Sequence, residues 1–323
     1  MSFDLLGFRF ESVRLEHRER LGGFLARHPQ PLSGFTFATL AAWNGLFHYG
    51  WTQPTPDSLL ISYQADPDPH RHLLQPVGSL SPQLAATLLD RAAELPHRLR
   101  IVGVSPEFVA QHRDFADKFV IAENEATANY LYSAEELASL AGKRFAKKRN
   151  LVSQAGRLYA WTVEPLGPGH VAACRAIVDE ILVEERPEVC PTLEQELAAL
   201  DFTLAHFALL GQQGTLVRVE GRPVAFSIWE PIGARTAVIH FERALRRFKG
   251  LYQVVNQETA RRIVQSGFEL INREEDLGDP GLRQAKQSYQ PVALLPSLSL
   301  CFREDLSRVG RAPAGALARP CAP

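Results

Sequence analysis

Lysine is scarce in this chain. Six occur in 323 residues, against 29 arginines, and three of the six crowd into residues 143–148. Cysteine is scarcer still. Cys174, Cys190, Cys301 and Cys321 show no C-x-x-C or Cys/His spacing, so neither a disulfide framework nor a metal site is expected. No apolar run approaches the ~20 residues of a membrane-crossing helix. The first residues, MSFDLLGFRFESVRLEHRER, lack a basic stretch followed by an apolar core. No secretory leader is therefore expected, and the expected location is cytoplasmic. An excess of one charge is missing too. A net charge of −1 and a pI near 6.8 provide no bulk field for nucleic acid or anionic membrane, so any such contact must be local.

What is present is ordinary globular material, 46% hydrophobic and 22% charged, in a chain long enough for two cores. In the first half, strand-like runs are expected at 35–43, 57–65, 70–78 and 98–106, after a short helix at 14–27. Ser81, Pro82 and Pro96 bracket a helix at 81–96. Residues 118–133 read as extended. In the second half, Ser133 and Glu136 open a helix expected over 134–154. A strand at 158–166 and helices at 170–185 and 194–211 follow. Three strands with short turns, GTLVRVEG, PVAFSIWEPI and ARTAVIHFERA, then form a meander. The loop 246–250, a helix ending at Gly267, a strand at 268–276 and a last helix from Asp279-Pro280 complete the pattern. The tail beyond 306 is expected to be disordered. The class is α/β (α+β), in three parts: 1–128, 129–306 and the tail 307–323.

Meander, loop, helix, parallel strand, helix is an order that resembles the GNAT acyltransferase core, and its recurrence in both halves suggests a tandem pair. Four ordered blocks carry a closer likeness: GKRFAKKRN (142–150), HFERA (240–244), KGLYQVVNQETA (249–260) and INREEDLGDPGLRQAKQSYQP (271–291). They resemble the phosphatidylglycerol lysyltransferase C-terminal-domain family over roughly 125–295. The resemblance implies tandem GNAT-like domains. In membrane-bound relatives that fold moves an amino acid from aminoacyl-tRNA to a lipid head group. The multi-span membrane region of those relatives is missing here, so the expected acceptor is left as an amine or hydroxyl. The donor is left as acyl-CoA or aminoacyl-tRNA. Two alternatives stand beside this reading: an acetyl-CoA-dependent N-acetyltransferase, and a ligand-binding module without catalysis.

The candidate residues come from polar groups where apolar ones belong. Strand alternation puts His240 and Glu242 on one face with Val238, and a His and a Glu on a central strand must be paired or face a cleft. The GNAT resemblance makes this the strand that splays from its neighbour. Glu242 is then the candidate general base, with His240 as its alternative or partner. On 268–276 the same alternation groups Asn272, Glu274 and Asp276 against Arg273 and Glu275. Arg273 would bind a carboxylate or phosphate, or lock Glu242 or Glu274 in an ion pair. The helical wheel places Asn256 on a buried arc, and Arg144 with Lys148 inside an apolar arc as partners of an anion. The GNAT resemblance makes Tyr289 the candidate general acid, with Lys286 beside it. Arg247, Lys249, Gly250 and Leu251 occupy the place of the GNAT pyrophosphate loop. Tyr252 stands where a small residue would allow close backbone approach.

Overall fold

A computed structural model describes residues 2–185 and 191–306. The tail 307–323, expected to be disordered, lies outside the described residues.

Two mixed sheets form the frame, of nine and seven strands among the described residues. In the second, Trp161–Pro165, Gln213–Val219, Arg222–Pro231 and Thr236–Ala244 run as an antiparallel meander. Thr236–Ala244 then pairs in parallel with Leu270–Asn272. Asn129–Ser133 and the edge strand Ala293–Leu295 complete the order. The first sheet repeats this plan. Antiparallel strands from Ser2–Leu5 to Ser58–Tyr63 lead to His72–Leu74, which pairs in parallel with Arg100–Val104. Beyond it lie Leu298–Phe302 and the edge strand Phe119–Glu123.

One strand crosses between the halves of the chain. The strand inserted next to the parallel pair is Leu298–Phe302 in the first sheet, from the far end of the described residues, and Asn129–Ser133 in the second, just ahead of the other strands of that sheet. The expected division into 1–128 and 129–306 is therefore not continuous along the chain, because 298–302 completes the first sheet. The hairpin of Ser2–Leu5 with Phe8–Ser12 is a further element that the sequence did not announce.

Several helices follow their local signals. Ser81 Oγ accepts from Leu84 N at the head of Pro82–Glu94, a cap worth about 1 kcal/mol, and Leu84, Leu88 and Ala92 face the core. Other expectations fail for local reasons. Residues 35–43 contain a helix, Phe37–Ala42, because Thr36 caps it through Thr39 N at 3.0 Å. The helix expected over 134–154 breaks into Ala134–Ser139 and Ala146–Leu158. Leu140 and Gly142 sit at positive φ between them, a conformation that a continuing helix excludes. The strand expected over 268–276 is only Leu270–Asn272.

Candidate functional site

The parallel pairing of Thr236–Ala244 with Leu270–Asn272 ends at Val238 and Asn272. Beyond that pair the central strand continues for six residues while its neighbour leaves the sheet, so the ladder between them opens. A β-bulge sits at the same place. Ile228 opposes Phe241 and Trp229 opposes Ile239, which leaves His240 as the extra residue. Bulges re-aim side chains, so the single face expected for Val238, His240 and Glu242 is interrupted at His240.

His240 and Glu242 therefore have different partners, not each other. The His240 ring is 2.8 Å from Glu230 Oε1 through Nε2 and 2.8 Å from Glu274 Oε1 through Nδ1. Burial alone would lower its pKa, but the two carboxylates outweigh burial and raise it to about 10. At neutral pH it is an imidazolium held between two acids. Glu242 Oε1 accepts from Arg273 Nη2 at 2.9 Å, and its Oε2 accepts from Asn256 Nδ2 at 3.3 Å. Both of its oxygens are engaged.

Glu274 is the strained member. Its φ of +58° is costly for a residue with a Cβ, by about 1–2 kcal/mol. Its side chain is 28% exposed, and of its two oxygens Oε1 carries the hydrogen bond to His240. The buried Tyr289 ring lies beside two cations. Lys148 Nζ lies 4.0 Å from the ring centroid and Arg273 lies 5.2 Å away. Burial raises the Tyr289 pKa well above the usual phenol range despite the nearby Arg273, so the hydroxyl stays protonated. The Lys148 pKa is lowered by burial first and by Arg273 second.

Other candidates lie elsewhere. Asn272 is fully buried and donates to Pro31 O and Asn129 Oδ1, and it accepts from Glu274 N. It braces the turn and does not face the cleft. Asp276 is fully buried, accepting from Tyr130 Oη, Arg283 and Gly278 N. The Arg283 hydrogen bonds outweigh burial and hold its pKa below the usual carboxylate range. Lys286 donates to the carbonyls of Arg273 and Glu275, and burial lowers its pKa to about 8. These three are loop braces. Arg144 swings outward to Glu136, half exposed, because the helix breaks before it. Glu230 was missed, and its signal was present: an acid near the end of an otherwise apolar strand, SIWEP.

The loop expected to cradle pyrophosphate is committed internally. Arg247 pairs with Glu180 and Glu184, Lys249 N donates to Tyr159 Oη, and Leu251 N donates to Phe248 O. Gly250, at φ +85°, is needed for packing. A Cβ there would stand 2.3 Å from Leu151 O, on the neighbouring helix. Among the described residues, no group of three His, Cys, Asp or Glu could hold a metal. A separate groove of about 200 Å³ runs between helices Val171–Glu185 and Pro191–Ala205, lined by four leucines and Val178 with Arg175, Asp179 and Asp201, and none of the candidate residues lines it.

A splayed central strand with charged residues in its opening is what the family resemblance implied. The sequence pattern described as phosphatidylglycerol lysyltransferase, C-terminal, matches residues 26–298. The chain belongs to that family. A solved protein of unknown function from Bacteroides thetaiotaomicron is 29% identical, with a TM-score of 0.84 over 91% of this chain and 99% of its own. Two structures share the fold at a TM-score of 0.63, each over 90% of this chain and 92% of its own. They are the C-terminal domain of a putative lysylphosphatidylglycerol synthetase from Agrobacterium fabrum, 15% identical, and L-PGS from Bacillus licheniformis, 17% identical. No curated protein matches. The family match and these two structures give the fold, two mixed sheets flanked by helices, of general aminoacyl or acyl transferase type. No helix among the described residues is long and apolar enough to cross a membrane.

Proposed function

We propose that the cleft beside strand Thr236–Ala244 transfers an aminoacyl group from an ester donor, of the aminoacyl-tRNA kind, to an amine or hydroxyl acceptor. The observation that carries this reading is the opening after Val238 and Asn272, with the part-exposed Glu274 carboxylate held there through one oxygen by His240. The freed edge of Ile239–Ala244 offers backbone N–H groups to the oxygen of a tetrahedral intermediate.

The residues divide the work. Glu274 takes the proton from the attacking amine or hydroxyl as the new bond to the carbonyl carbon forms. Tyr289, kept protonated by burial, gives a proton to the departing ester oxygen as its bond to carbon breaks. The proton on Glu274 returns to the phenolate through solvent. His240 positions Glu274 and cannot act as a base while it carries its own proton. Glu242, with both oxygens engaged, positions Arg273 and Asn256. This assignment moves the base from Glu242 to Glu274.

Coenzyme A as donor gains no support from the Gly250 loop, where the Arg247 side chain and the Lys249 and Leu251 N–H groups are already bonded. The test is a transfer assay by mass spectrometry, with charged tRNA and acetyl-CoA as competing donors. Glu274→Gln should slow transfer at least about a hundredfold, with a loss of stability far smaller than that of His240→Ala. An unaltered rate in that variant, or turnover from acetyl-CoA alone, would sink the proposal.

A further inference from the structure

The turn that carries Glu274 is pinned from several sides, as a residue held at positive φ has to be. Within the second half of the chain, Glu274 N donates to Asn272 Oδ1 at 2.8 Å and Tyr130 N donates to Glu274 O at 3.1 Å. Lys286 holds the carbonyls of Arg273 and Glu275. The remaining anchors reach into the first half. Asn272 Nδ2 donates to Pro31 O at 3.1 Å, and Asn129 Oδ1 accepts from Ser33 N at 2.9 Å. Glu275 joins this junction with its side chain. Its carboxylate accepts from Asn129 Nδ2 at 3.3 Å, and the Ser33 side chain is a second donor to it. Both of these donors are neutral, and Ser33, Asn129 and Asn272 are buried.

We propose that Glu275 is a positioning residue for Glu274, tying the turn that carries the base to the first half of the chain and acting on that base through its charge. The inference rests on the reading of Glu274 as the base. The two carboxylates belong to consecutive residues and have different partners, His240 for one and the Asn129–Ser33 junction for the other. Like charges this close raise each other's proton affinity. Burial first and Glu274 second push the Glu275 carboxyl up to about 7, while its own N–H, Lys286 and Ser33 pull the other way. Tyr49 faces it from the first half, with Tyr63 beside Tyr49, and burial keeps the Tyr49 phenol protonated. The next acid, Asp276, is taken up by Arg283 and Tyr130. Near neutral pH Glu275 is therefore divided between two states. Its ionised state makes Glu274 the stronger base, and its neutral state relieves that pressure. A change at Ser33 is thereby felt at Glu274.

The test follows the glutamate carboxyl carbons of the full chain, labelled with carbon-13, by NMR across the pH range in which the protein is folded. Glu275→Gln and Glu274→Gln assign the two signals. In the parent, Glu275 should titrate near pH 7. Glu275→Gln keeps an oxygen for Asn129 and Ser33 but no charge, and should move the Glu274 titration toward acid by at least about half a pH unit. Ser33→Ala removes a donor to the ionised form and should move the Glu275 titration further up. Stability gives a second readout. The folded carboxyl is raised from an ordinary 4.5 to about 7, so its contribution is present below about pH 4.5 and lost as pH rises through about 7. Urea titrations should show that decline in the parent, about a hundredfold in the unfolding constant, and not in Glu275→Gln. A Glu275 that titrates in the ordinary carboxylate range would overturn the proposal, and so would a Glu274 titration that Glu275→Gln leaves in place. If Glu275→Gln does not fold, the parent titration and Ser33→Ala decide, and a Glu275 signal unmoved by Ser33→Ala would overturn it too. None of these readouts requires turnover, so a failure to detect transfer counts against the transferase reading and not against the coupling of the two carboxyls.

Discussion

The two sheets open at the same point of the same plan, and only one opening carries charge. In the first sheet the parallel pairing ends at Leu74 and Val102, and in the second at Val238 and Asn272. Counting on from those pairs, Gly78 stands where Glu242 stands. Gly103 and Val104 stand where Arg273 and Glu274 stand. The first gap is sealed: Gln75 bridges Gln30 Oε1 and Ser105 N, and the Phe35 ring packs against Gly103. The second holds an imidazolium between two carboxylates and a guanidinium on a third. Buried charge is retained at a cost in desolvation, and the first sheet shows that this fold closes without it. The charges in the second gap are thus not required by the architecture, which is the reason to read them as function.

The largest expected effect comes from removing the cation between the acids. His240→Ala leaves Glu230 and Glu274 facing each other in a largely buried site, and should destabilise the protein by about 3–5 kcal/mol. The pH dependence has a definite sign. The folded pKa of about 10 exceeds the ordinary imidazole value of about 6.5. The stability from His240 is therefore fully present below about pH 6.5 and is lost as pH rises through about 10. Urea titrations from pH 6 to 10 should show that decline in the parent and a flatter profile in His240→Gln. A parent profile flat over this range would mean that the second gap is not held by charge.

Next is the brace outside the gap. Asp276→Ala strands a buried phenol and removes the partner of Arg283, and should cost about 3 kcal/mol, the low end for a broken buried pair because Arg283 reaches water. Its folded pKa is depressed, so its contribution is present above about pH 4 and declines as the medium becomes more acid. Glu274→Gln, by contrast, keeps an acceptor for His240 Nδ1 and leaves Glu230 as its counter-charge, so it should change turnover far more than stability. If both variants lost stability alone, the second gap would be as structural as the first.

That contrast also marks how far the sequence can be read. His240, Glu242, Arg273 and Glu274 were legible because charge interrupts apolar alternation, and the cleft brings all four together. Asn272, Asp276 and Lys286 carried the same signal and turned out to hold their own loop. A buried polar side chain needs a partner, and nothing in the spacing tells whether that partner is a ligand or a carbonyl three residues away. Arg144 failed for another reason: a helical wheel assumes an unbroken helix, and Gly142 ends that assumption. The tandem rhythm was visible. The crossing of Leu298–Phe302 into the first sheet was not, because pairing between residues 100 and 301 leaves no local trace.

The smallest expected effect lies in the silent gap. Gly78 has φ +84°, and a Cβ placed there would approach Asp57 O to 2.2 Å, with the Phe24 ring at 3.0 Å. Gly78→Ala therefore combines left-handed strain with a clash against backbone, and should cost about 2 kcal/mol by chemical denaturation. The rate of transfer, measured on the folded fraction, should not move. At the matching position of the second gap the demand is reversed. Glu242 has a Cβ and a carboxylate because the strand there runs on to Ala244 and leaves room beside Asn256 and Arg273. A Gly78→Ala protein with normal stability and impaired transfer would make the first gap part of the chemistry, and the reading of the two openings as one sealed and one working would fail.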